Sequence, residues 1–401
     1  MTLFLIFITG LYLTLMLLLL IGWRKIPKFS LKHASPEINF SIIIPYRNEA
    51  ENLPLLLNSI LKLKYPLSQF EILLVNDSSE DGSRKICSDF KTRYPELQIS
   101  LIENHRISGS PKKDAILIAA KKAIFPYILT TDADCKLPKF WLQAFNEKIL
   151  ETGAKLIAGP VATFKPLLNP SISESSKTEK SLYNQDIQKE KRRLKYFHAF
   201  QEMDFLSLQI AGAGGFGLKK AFMCNGANLC YSKAAFFEIG GFSGNGEISS
   251  GDDVFLLQKF AEKKLKITFL KCHEAIVLTK PQQNLTALIS QRIRWAAKTP
   301  AYKSLFAKLI GFSVLMLNFS LILGCFLTFF NFIPYQPVLL MFFFKFNVDF
   351  ALLFYSAAFF HRKDILRNYF WSSLVYPVFS TSVALMSLFI KFEWKGRTYK
   401  K

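Results

Sequence analysis

Hydrophobic and polar positions divide this chain into three regimes. From Leu3 to Trp23 it is apolar and charge-free over a length that spans a bilayer. From about 38 to 300, short apolar runs end in polar, Asp-rich or Gly-rich turns, and beyond 305 long apolar runs return. In the middle regime Phe40 to Ile44 runs into Pro45-Tyr46-Arg47-Asn48-Glu49 and then an amphipathic stretch from Ala50 to Leu63, which predicts a strand, a loop and a helix. Phe70 to Val75 predicts a second buried strand. It ends in Asn76-Asp77-Ser78-Ser79-Glu80-Asp81-Gly82-Ser83, a loop able to cap the next helix. Ala123 to Thr131 predicts a third strand, stopping at Asp132-Ala133-Asp134. Strands alternating with helices predict an α/β sheet whose ligands gather outside the strand carboxyl ends.

The residues at those ends carry the candidate chemistry. Asp132 and Asp134 offer hard oxygens that suit Mg²⁺ or Mn²⁺, with the remaining ligands drawn from water and a substrate's phosphates. Taken alone, Asp-x-Asp equally describes a capping turn. Lys112 and Lys113 open a helix after Pro111, where cations oppose the helix dipole; either a diphosphate or plain solvation accounts for them. Asp252 and Asp253 follow Ser250-Gly251 and precede an apolar helical stretch. They form an acidic first turn that can also take a proton from an attacking hydroxyl. In Gln291-Arg292-Ile293-Arg294-Trp295, Arg294 can clamp phosphate, and Trp295 is either a stacking platform for a sugar or a packing residue.

Taken in order, Pro45-x-Arg47-Asn48-Glu49, Asp77, Lys112-Lys113, Asp132-x-Asp134, Asp252-Asp253-x-x-Leu256 and Gln291-x-x-Arg294-Trp295 resemble a membrane-anchored family 2 glycosyltransferase. The resemblance covers residues 38 to 300. It extends to Cys224-Asn225-Gly226-Ala227-Asn228, similar to the family's acceptor-side segment, and its last two motifs are shared by ceramide glucosyltransferase-like and polysaccharide synthase-like members. It implies a GT-A fold, a nucleotide-sugar donor (a UDP-sugar most commonly), a divalent metal and inversion at the anomeric carbon. By the same resemblance Pro45, Arg47, Glu49 and Asp77 surround the nucleoside, and Lys113 lies near ribose or phosphate. Asp132 and Asp134 hold base and metal, and Asp253 is the general base. Gly226, Asn228, Asp252, Gln291, Arg294 and Trp295 line the acceptor and diphosphate side. Asp252 stands where relatives often carry Glu, and Asn76 where many carry a second Asp.

Composition then places the domain. Half of the 401 residues are hydrophobic and 40 are Phe, enough for one sizeable domain plus membrane spans. We expect an anchor at 1–23, a GT-A domain at 38–300, a membrane region of two or three spans at 305–392 and a basic tail at 393–401. Arg24, Lys25, Lys28 and Lys32 follow the first span directly, which predicts a cytoplasmic catalytic domain, on the inner membrane. Leu309 to Phe330 and Val338 to Phe360 predict two further spans, the second carrying Lys345 and Asp349 on one helix face as a structural clamp. A third, Tyr369 to Ile390, conflicts with the positive-inside tendency: crossing there would put the basic tail outside, so the segment is interfacial or re-entrant, or the tail breaks the rule. The net charge of +21 is spread beside the spans and through a mixed run from Lys177 to Lys195, which fits anionic lipid and no nucleic acid. Six cysteines without a Cys-x-x-Cys pair suggest neither zinc nor disulfides. Three functions fit these features: transfer of one sugar to a lipid or lipid-linked hydroxyl, processive polysaccharide synthesis, or an inactive membrane scaffold.

Overall fold

The computed structural model describes residues 2–164, 180–390, 392–394 and 397–399. The mixed-charge run from Lys177 falls partly outside these residues, as does part of the basic tail. The first apolar run forms α1 (Thr2–Lys25). The domain then alternates β1 (Phe40–Tyr46), α2 (Leu53–Ile60), β2 (Phe70–Asn76), α3 (Ser83–Arg93), β3 (Ile99–Glu103), α4 (Pro111–Lys122) and β4 (Tyr127–Thr130). Next come β5 (Cys135–Lys136), α5 (Trp141–Thr152), β6 (Leu156–Ala158), β7 (Val161–Thr163), the long α6 (Lys180–Gly217), β8 (Leu229–Ser232), α7 (Lys233–Glu238) and α8 (Asp252–Glu262). After β9 (Ile267–Phe269), β10 (Val277–Thr279) and α9 (Leu285–Ala296), the apolar helices are α10 (Leu305–Phe329), α11 (Gln336–Phe359) and α12 (Tyr369–Phe389). A short hairpin, β11 (Phe392–Trp394) and β12 (Arg397–Tyr399), closes the described chain.

The main sheet has the order β3-β2-β1-β4-β8-β6-β9. Every residue of β2 is buried, as expected of a strand covered on both faces. β1 pairs in parallel with both β2 and β4, so the chain winds outward through β2 and β3 and then returns to the other side of β1. That reversal is a topological switch point, and it opens a crevice between the ends of β1 and β4, where Pro45 and Asp132 stand. A second sheet, β5-β10-β7, pairs Cys135 with Thr279 and so brings Thr279 beside Asp134.

The membrane helices are fastened to this domain. α6 crosses α1 at glycines: a methyl group on Gly22 would run into the carbonyl of Gly214, and one on Gly217 into the carbonyl of Gly22. The Gly212 to Gly217 segment is therefore the last turns of a helix seated against α1. Lys271 Nζ caps the end of α1, donating to the carbonyls of Trp23 (2.8 Å) and Ile26 (3.2 Å) while lying 3.9 Å from the Trp23 ring centroid. The linker that follows is held by Glu147, which accepts from Lys32 N and Ala34 N, and by Asn146, which accepts from Glu37 N and Ile38 N.

α1, α10, α11 and the stretch Lys363–Phe389 are long and apolar enough to cross a membrane. The last behaves differently. The 3₁₀ turn before α12 (Lys363–Asn368) packs on α6 and α11, Phe379 and Val383 of α12 pack with Ile293 of α9, and β11 lies beside α9. Contacts at both ends of α12 thus run to the domain, while along its length it packs on α10. Asp349 joins Lys345 and also accepts from Tyr12 Oη (2.6 Å), so the expected clamp ties α11 to α1. His273 stacks on Phe359 at 4.7 Å and lies 4.6 Å from the His361 ring, a packing role. The described cysteines are free.

Candidate active site

At the switch point, two loops are tied together before any ligand arrives. Arg47, just past β1, reaches across to the loop after β2, donating from Nη1 to the carbonyls of Asp77 (2.9 Å) and Ser78 (2.5 Å) and from Nη2 to Glu80 (3.0 Å). Asp77 in turn accepts from Asn104 Nδ2 (2.9 Å). Glu49 accepts from Asn52 Nδ2 at the start of α2. Asn48 and Ser78 both adopt positive φ (51° and 56°), so the two loops turn sharply away from the sheet and leave the crevice open.

At the end of β4, Asp132 Oδ1 accepts from Lys112 Nζ at 2.7 Å, and the same ammonium lies 3.2 Å from Asp252 Oδ2. Burial would lower the Lys112 pKa, but Asp132 and Asp252 outweigh it and hold it above the ordinary lysine value. The unexplained cation at the start of α4 therefore has an intramolecular answer. Lys113, the residue expected near ribose or phosphate, points away from the crevice. Its Nζ donates to the carbonyls of Asn245 (2.7 Å) and Ile248 (2.8 Å), and burial pushes its pKa down to about 8. Adjacent helical residues face about 100° apart, so only one of the pair can look into the site.

The acidic turn of α8 sits opposite. Asp253 Oδ2 accepts from Gly226 N (3.1 Å), Oδ1 accepts from Val254 N (2.7 Å), and Lys298 Nζ lies 3.8 Å away. Burial would raise the Asp253 pKa; Lys298, Lys112 and the two amides outweigh it and hold the carboxylate below its ordinary value. Asp252 goes the other way, raised by burial and by the charge of Asp253 against the pull of Lys112. Gly226 is pinned to β4 through its carbonyl, which accepts from Thr130 Oγ1 at 2.7 Å. A Cβ there would sit 3.0 Å from Asp252 Oδ2 and 3.4 Å from Lys112 Nζ, so the turn must pass close without a side chain.

Of the sequence-expected residues, Pro45, Arg47, Glu49, Asp77, Asp132, Asp134, Gly226, Asp252, Asp253, Gln291, Arg294 and Trp295 line one cavity of about 1280 Å³. Asn228 does not. It is fully buried, accepting from Trp141 Nε1 (2.8 Å) and donating to the carbonyls of Pro160 and Ala275 (2.8 Å each), and so braces the floor beneath the site. Trp295 is packed, tilted against Phe205 at 6.3 Å and under the Arg292 guanidinium at 4.3 Å, while still lining the cavity. The sequence offers Lys112 beside Lys113 without separating them, and it gives no sign of Lys298, which lies just past the end of α9.

Among the described residues no third His, Cys, Asp or Glu joins Asp132 and Asp134 to close a coordination shell. Two carboxylates with an open remainder suit Mg²⁺ or Mn²⁺, which keep waters and take phosphate oxygens. The Lys112 ammonium sits on Asp132 and Asp252, so cationic charge is held at the end of β4, a place a divalent ion would also suit.

Residues 41–211 match Glycosyl transferase family 2, and residues 191–390 match Glycosyl transferase family group 2. Over 121 residues, 30% of this chain and 38% of the relative, the sequence is 35% identical to Glycosyltransferase AglE of Haloferax volcanii. Over 97 residues, 24% of this chain and 16% of the relative, it is 32% identical to the poly(ribitol-phosphate) beta-N-acetylglucosaminyltransferase TarS of Staphylococcus aureus. The chain thus spans well under half the length of these curated relatives. Mannosyltransferase PcManGT from Pyrobaculum calidifontis, solved in complex with GDP-Man and Mn²⁺, superposes over 97% of this chain and 99% of its own with a TM-score of 0.56 at 16% identity, a likeness of fold.

Proposed function

We propose, from the premise that the chain belongs to glycosyltransferase family 2, that it moves one sugar from a nucleoside-diphosphate donor to a hydroxyl of a lipid or lipid-linked acceptor, with inversion, at the cytoplasmic membrane face. The observation that carries the reading is the continuity of the cavity. It runs from the carboxylates at the sheet ends, past Trp295, to Tyr12 and Met16 of α1, Lys345 of α11 and Leu388 of α12. A soluble donor and an amphiphilic acceptor can therefore meet in one space. The basic residues in the last turn of α1 and just beyond it, Arg24, Lys25, Lys28 and Lys32, support the cytoplasmic side.

In this reading Pro45, Glu49 and Asp77 bound the nucleoside end, and Arg47 keeps their loops in register. Asp132 and Asp134 hold Mg²⁺ or Mn²⁺, which when bound neutralises charge on the leaving diphosphate. Arg294, lining the same cavity, adds a second cation. Asp253 takes the acceptor hydroxyl's proton as the oxygen bonds to the anomeric carbon and the bond from that carbon to the diphosphate oxygen breaks. The base must be ionised to do so, and Lys298 with the Gly226 amide keeps it so. Attack from the face opposite the leaving group inverts the centre. A uridine nucleotide is the donor expected from the family resemblance.

The test is transfer by the purified protein in native-lipid nanodiscs, with a panel of nucleotide sugars, with and without Mn²⁺, followed by mass spectrometry of the lipids. One added sugar unit, dependent on metal and lost in Asp253→Asn, is the expected result. A ladder of products would replace the reading with processive synthesis, and no turnover by a folded protein would leave the scaffold.

A further inference from the structure

The inner half of the cavity is not a plain apolar slot. Beyond Trp295 a row of polar groups continues toward α1. Arg292 Nε pairs with Asp204 at 2.5 Å, Tyr376 stands next, Lys345 Nζ lies 5.2 Å from the Tyr376 ring centroid and pairs with Asp349, and Asp349 accepts from Tyr12 Oη. All six residues line the cavity. Their placement on four helices (α1, α6, α11 and α12) and on α9 shows that the row is assembled by the tertiary fold.

Charged pairs among apolar helices are costly, and the clamp between α1 and α11 accounts for Tyr12, Asp349 and Lys345. The second pair and the flanking phenol remain to be explained. The balance of charge decides what fits. Two cations meet two carboxylates and each is already paired, so an anionic headgroup would meet as much repulsion as attraction, whereas a neutral polyol can donate to the carboxylates and accept from the ammonium and guanidinium at once. Tyr376 and Trp295 add flat faces of the kind against which sugar rings lie.

We propose that this inner half binds an uncharged, hydroxyl-rich headgroup, so that the acceptor is a neutral glycerolipid or glycolipid rather than a lipid phosphate. The inference rests on the proposed transferase reading and narrows its acceptor class. A phosphate-bearing headgroup lodged in this row would call for a cation in excess, and both cations there are already paired.

The experiment offers the wild-type protein, in nanodiscs of a zwitterionic lipid, diacylglycerol, a monoglycosyl diacylglycerol and a polyprenyl phosphate at equal mole fraction. Bound lipid is read by native mass spectrometry and transfer by product mass. Preferential binding of the neutral lipids is expected. Tyr376→Phe, the milder variant, and Lys345→Met/Asp349→Asn, which removes both charges together, should then weaken neutral-lipid binding by about tenfold or more, the loss of one or two hydrogen bonds to charged groups. Preference for the polyprenyl phosphate, or neutral-lipid binding untouched by both variants, overturns the proposal while leaving the transferase reading standing. Failure of that reading shows separately, as absence of transfer to every lipid despite lipid binding.

Discussion

Lys112 is the cation that bridges Asp132 and Asp252, and replacing it with Gln tests whether it holds the place of a metal. At 2.7 and 3.2 Å, with an effective dielectric of about 20, the two attractions are about 6 and about 5 kcal/mol before desolvation. Most of that offsets the cost of burying the three groups, and breaking a buried pair typically costs about 3–5 kcal/mol. Asp132 is 37% exposed toward the cavity, so water rescreens it and the lower end, about 3 kcal/mol, is expected. For a domain of this size that lowers the apparent unfolding midpoint by about 6–12 °C. Added Mn²⁺ should stabilise the variant more than the wild type, because in the wild type it must first displace the ammonium. The pH dependence has a sign as well. Asp252 is already raised by burial and Asp253, and Lys112 is the main group opposing that rise. Without Lys112 the folded pKa climbs further above the unfolded one, the folded state binds the proton more tightly, and stability falls as pH rises through that window. The deficit should therefore be small near the ordinary carboxylate pKa and widen toward neutral pH. Thermal unfolding in nanodiscs, at several pH values with and without Mn²⁺, reads all three effects. An unchanged midpoint in metal-free buffer at neutral pH, or equal Mn²⁺ shifts in both proteins, would refute the reasoning.

Asp253→Asn should lower kcat by about 10²–10⁴ while donor affinity, followed by calorimetry, stays close to wild type. Because Lys298 helps hold Asp253 below the ordinary carboxylate pKa, activity should stay flat as pH falls to that range; Lys298→Ala should move the acid limb of kcat/KM upward. Gly22→Val forces α1 off α6 and should cost at least about 1–3 kcal/mol, read as a lower unfolding midpoint, since the methyls meet backbone that cannot yield cheaply. Lys113→Met removes two charge-assisted bonds, worth together about 3 kcal/mol, and should raise hydrogen exchange around Asn245 to Ile248; a selective loss of donor affinity instead would restore Lys113 to the nucleotide site.

The strand ends were legible because burial on both faces writes itself as unbroken apolar runs, and a polar residue closing such a run marks the crevice. Phe40 to Ile44 and Phe70 to Val75 lie within β1 and β2, although Ala123 to Thr131 shortens at its start to Tyr127–Thr130 because Ile124 and Pro126 precede the pairing with β1. The antiparallel strand β8 between β4 and β6 was not legible, since Leu229 to Ser232 is too short to show a period. Within the site, acidic positions were easier to place than their partners. A carboxylate at a strand end has one direction to face, whereas Lys112 and Lys113 differ only by a helical rotation that depends on where α4 starts. Asn228 sits in an apparently functional segment for a structural reason, because Trp141 and two buried carbonyls need its amide.

Topology was the hardest matter to read, and it bears directly on how the site is completed. Length and apolarity allow α12 to cross a membrane, although it is less apolar than α10 and α11 and carries Pro377. Along its length α12 packs on α10, and toward the domain it packs on α9. That helix presents Arg294 and Trp295 to the cavity and Ile289 and Ile293 to α12, where Phe379 and Val383 meet them. Any displacement of α12 would pass through this apolar contact to the helix that carries Arg294. Donor and acceptor ends of the cavity are then mechanically joined at a contact of few residues.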